Sequence, residues 1–147
     1  MSEHIEITPE LIAIRHYLHE HPERSFKETS TTAYLADQLR AHVGLIEGTR
    51  PGPRIALRAD IDGLPIQENT DLDFKSANDG VMHGCGHDLH MSFLLGAAFW
   101  LADHRDRIAG SIKILFQPAE ETGRGASYVI KSGAVDDVDA IIGTHNN

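Results

Sequence analysis

The sequence predicts an α/β domain in which parallel strands are covered by helices. Three observations carry that prediction. Short apolar runs at 55–58, 111–116 and 140–143 have strand character, helical stretches separate them, and residues suited to metal or proton chemistry follow each run closely. With 147 residues, 41% of them apolar, the chain has the length and composition of one ordinary domain of about 100–200 residues with one core.

The first helix is expected to begin at Thr8, an N-cap followed by Pro9 at N1 and Glu10. It carries Leu11, Ile14 and Leu18 at helical spacing until Pro22, so it reads as an amphipathic surface helix. A second helix, from about Thr31 to Val43, sets Leu35 and Leu39 one turn apart and stops at Gly44. Leu45 to Glu47 and Ile55 to Arg58 flank the turn-rich Gly48 to Pro53 and predict a hairpin, with Asp60 just past its second arm. Residues 67–80 are polar and irregular. Leu89 to Leu101 is apolar around almost its whole circumference, which predicts a buried helix. Strands at Ser111 to Phe116 and Ala140 to Gly143 enclose a short helix at Ala126 to Lys131 that Gly133 ends. No internal repeat, low-complexity tract or flexible linker interrupts this order. A β-α-β-α-β succession binds ligands at the carboxyl edge of its strands, where Asp60, Glu120, Glu121 and His145 are expected.

Charge and cysteine content exclude several function classes. A net charge of -9 without a Lys/Arg cluster argues against nucleic acid and anionic membranes and leaves small molecules as partners. One cysteine allows no intramolecular disulfide, and Met1-Ser2-Glu3-His4 lacks the basic start of a signal peptide, so a cytoplasmic protein is expected. The longest apolar run, Phe93 to Ala102, is shorter than the ~20 residues that span a bilayer.

The densest chemistry lies in Met82-His83-Gly84-Cys85-Gly86-His87-Asp88, at the start of the long apolar helix. Cys85 and His87 offer a thiolate and an imidazole to a borderline cation. Taken alone, Cys85 is as well explained as a small buried hydrophobe and His87 as a helix-start residue. Glu120 and Glu121 would ordinarily be a solvated face, but they follow a strand and Pro118 and precede Gly123-Arg124-Gly125. Consecutive side chains point in different directions, so one glutamate can hold a metal while its neighbour reaches a water. Metal ions lower the pKa of water to about 7, and a neighbouring carboxylate can take its proton as hydroxide attacks a carbonyl carbon. In a two-metal arrangement Cys85 is a candidate bridge. Asp60 suits a place behind a ligand histidine, fixing its tautomer, and Asp88 reads as a helix cap. Of the ten histidines, His4, His16, His21, His42 and His104 read as surface residues without a role.

In order along the chain, Arg58-Ala59-Asp60-Ile61-Asp62-Gly63-Leu64-Pro65-Ile66, Met82 to Asp88, Phe116 to Glu121 and His145-Asn146 resemble the M20 metallopeptidase family. The likeness is to its amidohydrolase branch, which includes hippurate hydrolase and N-acyl-amino-acid aminoacylases. Leu18 to Glu23 with Glu28 resembles that branch too. The resemblance implies two divalent ions, zinc or manganese first and cobalt or nickel as others, held by Cys85, His87, Glu121 and His145. It implies Glu120 as general base and Asp60 as the carboxylate behind the ligands. It implies a three-layer α/β/α catalytic domain of the zinc-peptidase type with a mostly parallel mixed sheet, incomplete in this chain. The substrate class is N-acyl amino acids, hippurate-like or N-acetylated.

Relatives of this kind run to more than twice this length. The resemblance therefore implies that residues 1–147 are the N-terminal part of the catalytic domain. A lid domain that often mediates dimerisation, a returning catalytic half and a last ligand histidine would lie outside it. Such a fragment is expected to be poorly active alone, and a homodimer or larger assembly stays open for its parent. The step from Val43 to Gly44 is also abrupt where relatives have a further glycine-containing strand. Two other readings remain at this point. Cys85 could be a nucleophile activated by His87, or the chain could be a non-catalytic metal-binding or scaffold domain closed by four protein ligands.

Overall fold

Thr8 caps the first helix as its spacing predicts: its hydroxyl accepts the Leu11 N–H at 3.2 Å in this computed structural model, which describes residues 6–42 and 46–146. Helix α1 (Pro9–Glu20) buries Ile14, Leu18 and His19. Helix α2 (Thr29–His42) begins two residues before the expected start, because the Glu23 carboxylate accepts the Ser30 and Thr31 N–H groups at 3.2 and 2.7 Å. The predicted stop at Val43 and Gly44, and Leu45 of the predicted hairpin, lie outside the described residues.

The sheet has four strands in the order β1-β3-β2-β4, with β1 at Ile46–Glu47, β2 at Arg50–Asp60, β3 at Ala109–Gln117 and β4 at Ala140–Gly143. Strands β2, β3 and β4 run parallel and β1 is an antiparallel edge, the mostly parallel mixed sheet that was expected. The hairpin is not formed. Ile46 pairs with Ile112 on β3, while β2 pairs with the other side of β3, so β3 lies between the two supposed arms. The reason is steric and local. A Cβ on Gly52 would stand 2.6 Å from the Ala109 carbonyl carbon, so the bare backbone at 52 lets β3 come alongside. The turn-rich residues thereby become the first part of a long strand with a register shift between Arg50 and Arg54.

Helix α3 (His87–Asp103) packs on β2 and joins Ile14, Leu18, Leu35, Ile61, Met91 and Leu95 into one buried cluster. A second cluster of Ile46, Ala98 and Ile108 seals its far end. The helix is less buried than its composition suggests, since Phe93 is 56% exposed. A short turn at Arg105–Arg107 leads into β3, and helix α4 (Gly125–Lys131) leads into β4. The chain steps from β2 to β3 in one direction and from β3 across β2 to β4 in the other. Since such crossovers follow a right-handed rule, steps in opposite directions imply α3 and α4 on opposite faces, the three-layer arrangement with a crevice at the strand ends where the order reverses. All four residues of β4 are exposed. Among the described residues no helix is long and apolar enough to cross a membrane.

Candidate metal centre

All six residues singled out in the sequence stand at the carboxyl edge of the parallel strands. Asp60 is the last residue of β2, Glu120 and Glu121 open a turn at Glu120–Thr122 after β3, and His145 lies just past β4. Cys85 and His87 flank Gly86, the N-cap of α3, whose φ of 80° is a left-handed conformation that glycine takes without strain. That bend brings the ligand atoms of Cys85, His87 and His145 within 4.8 Å of one another.

His87 is the centre of the arrangement. Its Nδ1 lies 2.8 Å from the Asp62 carbonyl oxygen. A carbonyl can only accept, so Nδ1 carries the hydrogen and the neutral ring keeps its lone pair at Nε2. This Nε2 is buried with no hydrogen-bond partner and faces Asp60 Oδ1 at 3.6 Å, Glu120 Oε2 at 3.7 Å and Glu121 Oε1 at 3.7 Å. Glu121 Oε1 is also buried without a partner. Buried polar atoms are almost always satisfied, so two orphans facing each other among carboxylates fit a cation between them. Burial opposes charge on the imidazole, but Asp62 and Asp60 outweigh it and raise the His87 pKa above 6.5. Ion binding there would displace that proton.

The two glutamates differ as their order suggests. The Glu121 side chain is 19% exposed and the Glu120 side chain 39%, so the second turns inward and the first keeps access to solvent. His145 Nδ1 donates to the Asn146 carbonyl at 2.6 Å, which leaves its Nε2 free to face Cys85 Sγ at 3.4 Å. Burial and the carboxylates of Glu121, Glu120 and Asp60 push the Cys85 thiol up from its usual value. An activated cysteine nucleophile needs the opposite environment, so the Cys85–His87 dyad has no physical support here.

Asp60 stands behind a histidine that the sequence reading passed over. Its Oδ1 accepts the His90 Nδ1 hydrogen at 2.6 Å, and His90 Nε2 accepts the Asn146 N–H at 3.1 Å. Both nitrogens of His90 are therefore used, which makes it a support for the His145 segment rather than a ligand, although Asp60, His87 and His90 lie close enough to hold an ion. Burial works to raise the Asp60 carboxyl, but His90, His87 and Arg58 outweigh it and hold it below its ordinary value. His90 follows His87 by three residues on one helix face, a spacing that could have flagged it.

Asp62 is the other omission. Its carboxylate accepts the Ser25 hydroxyl and the N–H groups of Glu120 and Glu121 at 3.0 and 3.1 Å; burial works to raise its pKa, but His87 first, then Ser25 and these N–H groups, outweigh it and bring the value to about 2. Asp88 caps nothing, because no side-chain bond caps α3. It is 1% exposed and binds Arg15 Nε at 2.9 Å and His19 Nδ1 at 3.0 Å.

His19 also reaches Glu68 at 3.1 Å, and this buried chain predicts a pH dependence. The Asp88 hydrogen bond, opposed by burial and joined by Glu68, raises His19 above 6.5. Burial works to raise Glu68, but Ser76 N–H, the Thr70 hydroxyl and His19 outweigh it and bring its pKa to about 2. The Glu68 contribution to stability is complete above its ordinary value of 4.5 and is lost as pH falls toward 2. The His19 contribution is complete below 6.5 and is lost as pH rises through the raised value. Both act fully between 4.5 and 6.5, where the urea midpoint of the wild type should most exceed that of His19→Gln/Glu68→Gln. Parallel profiles for the two proteins would contradict this.

The family description "Peptidase family M20/M25/M40" matches residues 56–147. The chain belongs to this family. It is 46% identical over 156 aligned positions to Thermostable carboxypeptidase 1 of Saccharolobus solfataricus, covering 95% of this chain and 40% of that protein. It is 48% identical over 150 positions to N-acetyl-L-cysteine deacetylase of Bacillus subtilis, covering 93% of this chain and 36% of that protein. Among solved structures it superposes on the Bacillus subtilis YXEP protein, described as a dinuclear metal binding peptidase from the M20 family. The TM-score is 0.90 at 43% identity over 94% of this chain and 42% of that one. The α/β fold with its mixed sheet is thus that of M20 peptidases in part, and the chain spans about two-fifths of the length of the relatives it matches.

Proposed function

We propose that this chain is the N-terminal part of the catalytic domain of a metal-dependent amidohydrolase that cleaves the amide bond of N-acyl amino acids. The observation that carries the reading is the pair of buried, unpartnered atoms, His87 Nε2 and Glu121 Oε1, facing each other with Glu120 alongside. In this reading Cys85, His87, Glu121 and His145 hold two divalent ions, zinc or manganese, and Asp60 supports them through His90. The family membership supports it, and so do two relatives whose names denote amide cleavage, a carboxypeptidase and a deacetylase. Ions held there would supply an acidified water and an electrophile for the scissile carbonyl. Glu120 accepts the proton of the attacking water on its carboxylate and returns it to the departing amine nitrogen, so the C–N bond breaks with the proton balance closed. The hydrogen bond from Nδ1 of His87 to Asp62 keeps the Nε2 lone pair pointed into the site throughout.

The reading further places a lid domain, a second catalytic half and a dimer contact in a longer parent protein. The test is hydrolysis of a panel of N-acyl amino acids, hippurate and N-acetyl compounds included, by the full-length protein stripped of metal and then resupplied with zinc or manganese. Metal-dependent release of free amino acid is the expected result. Stoichiometric metal binding with no turnover of any member would overturn it in favour of a binding module.

A further inference from the structure

The turn that carries Glu120 and Glu121 is entered through Ala119, fully buried and left-handed with φ 54°, a conformation that residues other than glycine seldom adopt. Three consecutive backbone N–H groups there donate to buried carboxylates. Ala119 N–H goes to Glu28 Oε1 at 2.8 Å, and the Glu120 and Glu121 N–H groups go to the two oxygens of Asp62 at 3.0 and 3.1 Å. Successive N–H groups around a left-handed residue form an anion-binding concavity, and here the protein's own carboxylates fill it.

Glu28 has no local reason to point that way. It sits immediately before α2, where a carboxylate would ordinarily take the free N–H groups of the first turn. Glu23 already takes them at Ser30 and Thr31. The Glu28 carboxylate, in a residue only 6% exposed, instead crosses 91 residues of sequence to Ala119. The segment that delivers it is itself bent through Phe26, left-handed with φ 62°, and it also sends the Ser25 hydroxyl to Asp62. One loop thus supplies both restraints on the glutamate turn.

We propose that Glu28 is a positioning residue for the Glu120–Glu121 pair: by holding Ala119 left-handed, it sends Glu121 inward beside His87 and leaves Glu120 on the open side. The proposal rests on the roles given to Glu120 and Glu121 above. Its test uses Glu28→Ala, Glu28→Asp and Glu28→Gln in the full-length protein. The readouts are cobalt(II) affinity by calorimetry, the cobalt absorption spectrum, kcat and KM, and the thermal midpoint.

Gln keeps an oxygen acceptor at the same reach, whereas Asp keeps the charge but withdraws it from Ala119. Expected is a loss of about 10–100-fold in cobalt affinity for Ala and Asp, with an altered spectrum and a fall in kcat at nearly constant KM, and near wild-type values for Gln. Wild-type affinity and spectrum in Asp, with only a lower thermal midpoint, would overturn the proposal and leave Glu28 a folding residue. So would a weakened Gln beside an intact Asp, because charge and not reach would then matter. If Ala does not fold, the Asp and Gln pair decides. A wild type that binds no cobalt would overturn the metal reading and this proposal together, whereas a wild type that binds it with all three variants unchanged overturns this one alone.

Discussion

Glu120→Gln is expected to lower kcat by about 10²–10⁴-fold, the usual contribution of a general base, while leaving divalent-ion stoichiometry and the thermal midpoint unchanged. The expectation comes from geometry. Glu120 keeps 39% side-chain exposure beside His87, whereas Glu121 buries an unpartnered oxygen there. An amide at 120 retains the size of the carboxylate and the backbone N–H held by Asp62, so the turn should persist. Only the ability to take a proton is removed. Glu121→Gln should show the opposite pattern, with weaker metal binding preceding any loss of rate. Steady-state kinetics beside metal analysis of both variants checks this, and equal metal loss in the two would show that the roles are not divided.

Asp62→Ala carries the largest expected effect on stability, a loss of about 3–5 kcal/mol by urea unfolding. The Asp62 carboxylate accepts the Glu120 and Glu121 N–H groups and the Ser25 hydroxyl, and it lies 3.5 Å from His87 Nδ1. Truncation strands these groups where water reaches them poorly, and an unsatisfied buried donor costs about 1–3 kcal/mol. The pKa of Asp62 in the fold is about 2 against an ordinary 3.8, so its stabilisation is present above 3.8 and is lost as pH falls toward 2. The difference between wild type and variant should therefore shrink on acidification. A difference that stays constant from neutral pH to pH 2 would show that lost packing, not the carboxylate, is responsible.

The fold was legible where local rules and burial agree. Thr8 with Pro9 gave the start of α1, and the β-branched run at 140–143 gave β4 to the residue. Where two local readings competed, the distant partner decided. Pro51 to Pro53 has turn composition, yet Gly52 admits β3 and the segment becomes strand. That Cys85, His87, Glu120, Glu121 and His145 are candidates for metal chemistry was legible from residue type, placement after strands and the family resemblance. The parts played by Asp62, His90 and Glu28 were not, because each rests on contacts across 58, 56 and 91 residues respectively. Asp88 was misread for the same reason, since its partner His19 lies 69 residues away on another helix. Residue type announces what can bind or react, but the groups that aim it are chosen by the packing of distant segments.

The central claim is that His87 and Glu121 converge on a divalent ion. Anomalous diffraction at the manganese edge, from crystals of the full-length protein loaded with that ion, tests it most directly. The account predicts two peaks at this site, with His87 Nε2 and a Glu121 carboxylate oxygen among the coordinating atoms and Glu120 outside direct coordination. Ions bound elsewhere, or none at all with His87 Nε2 still unpartnered, would contradict it.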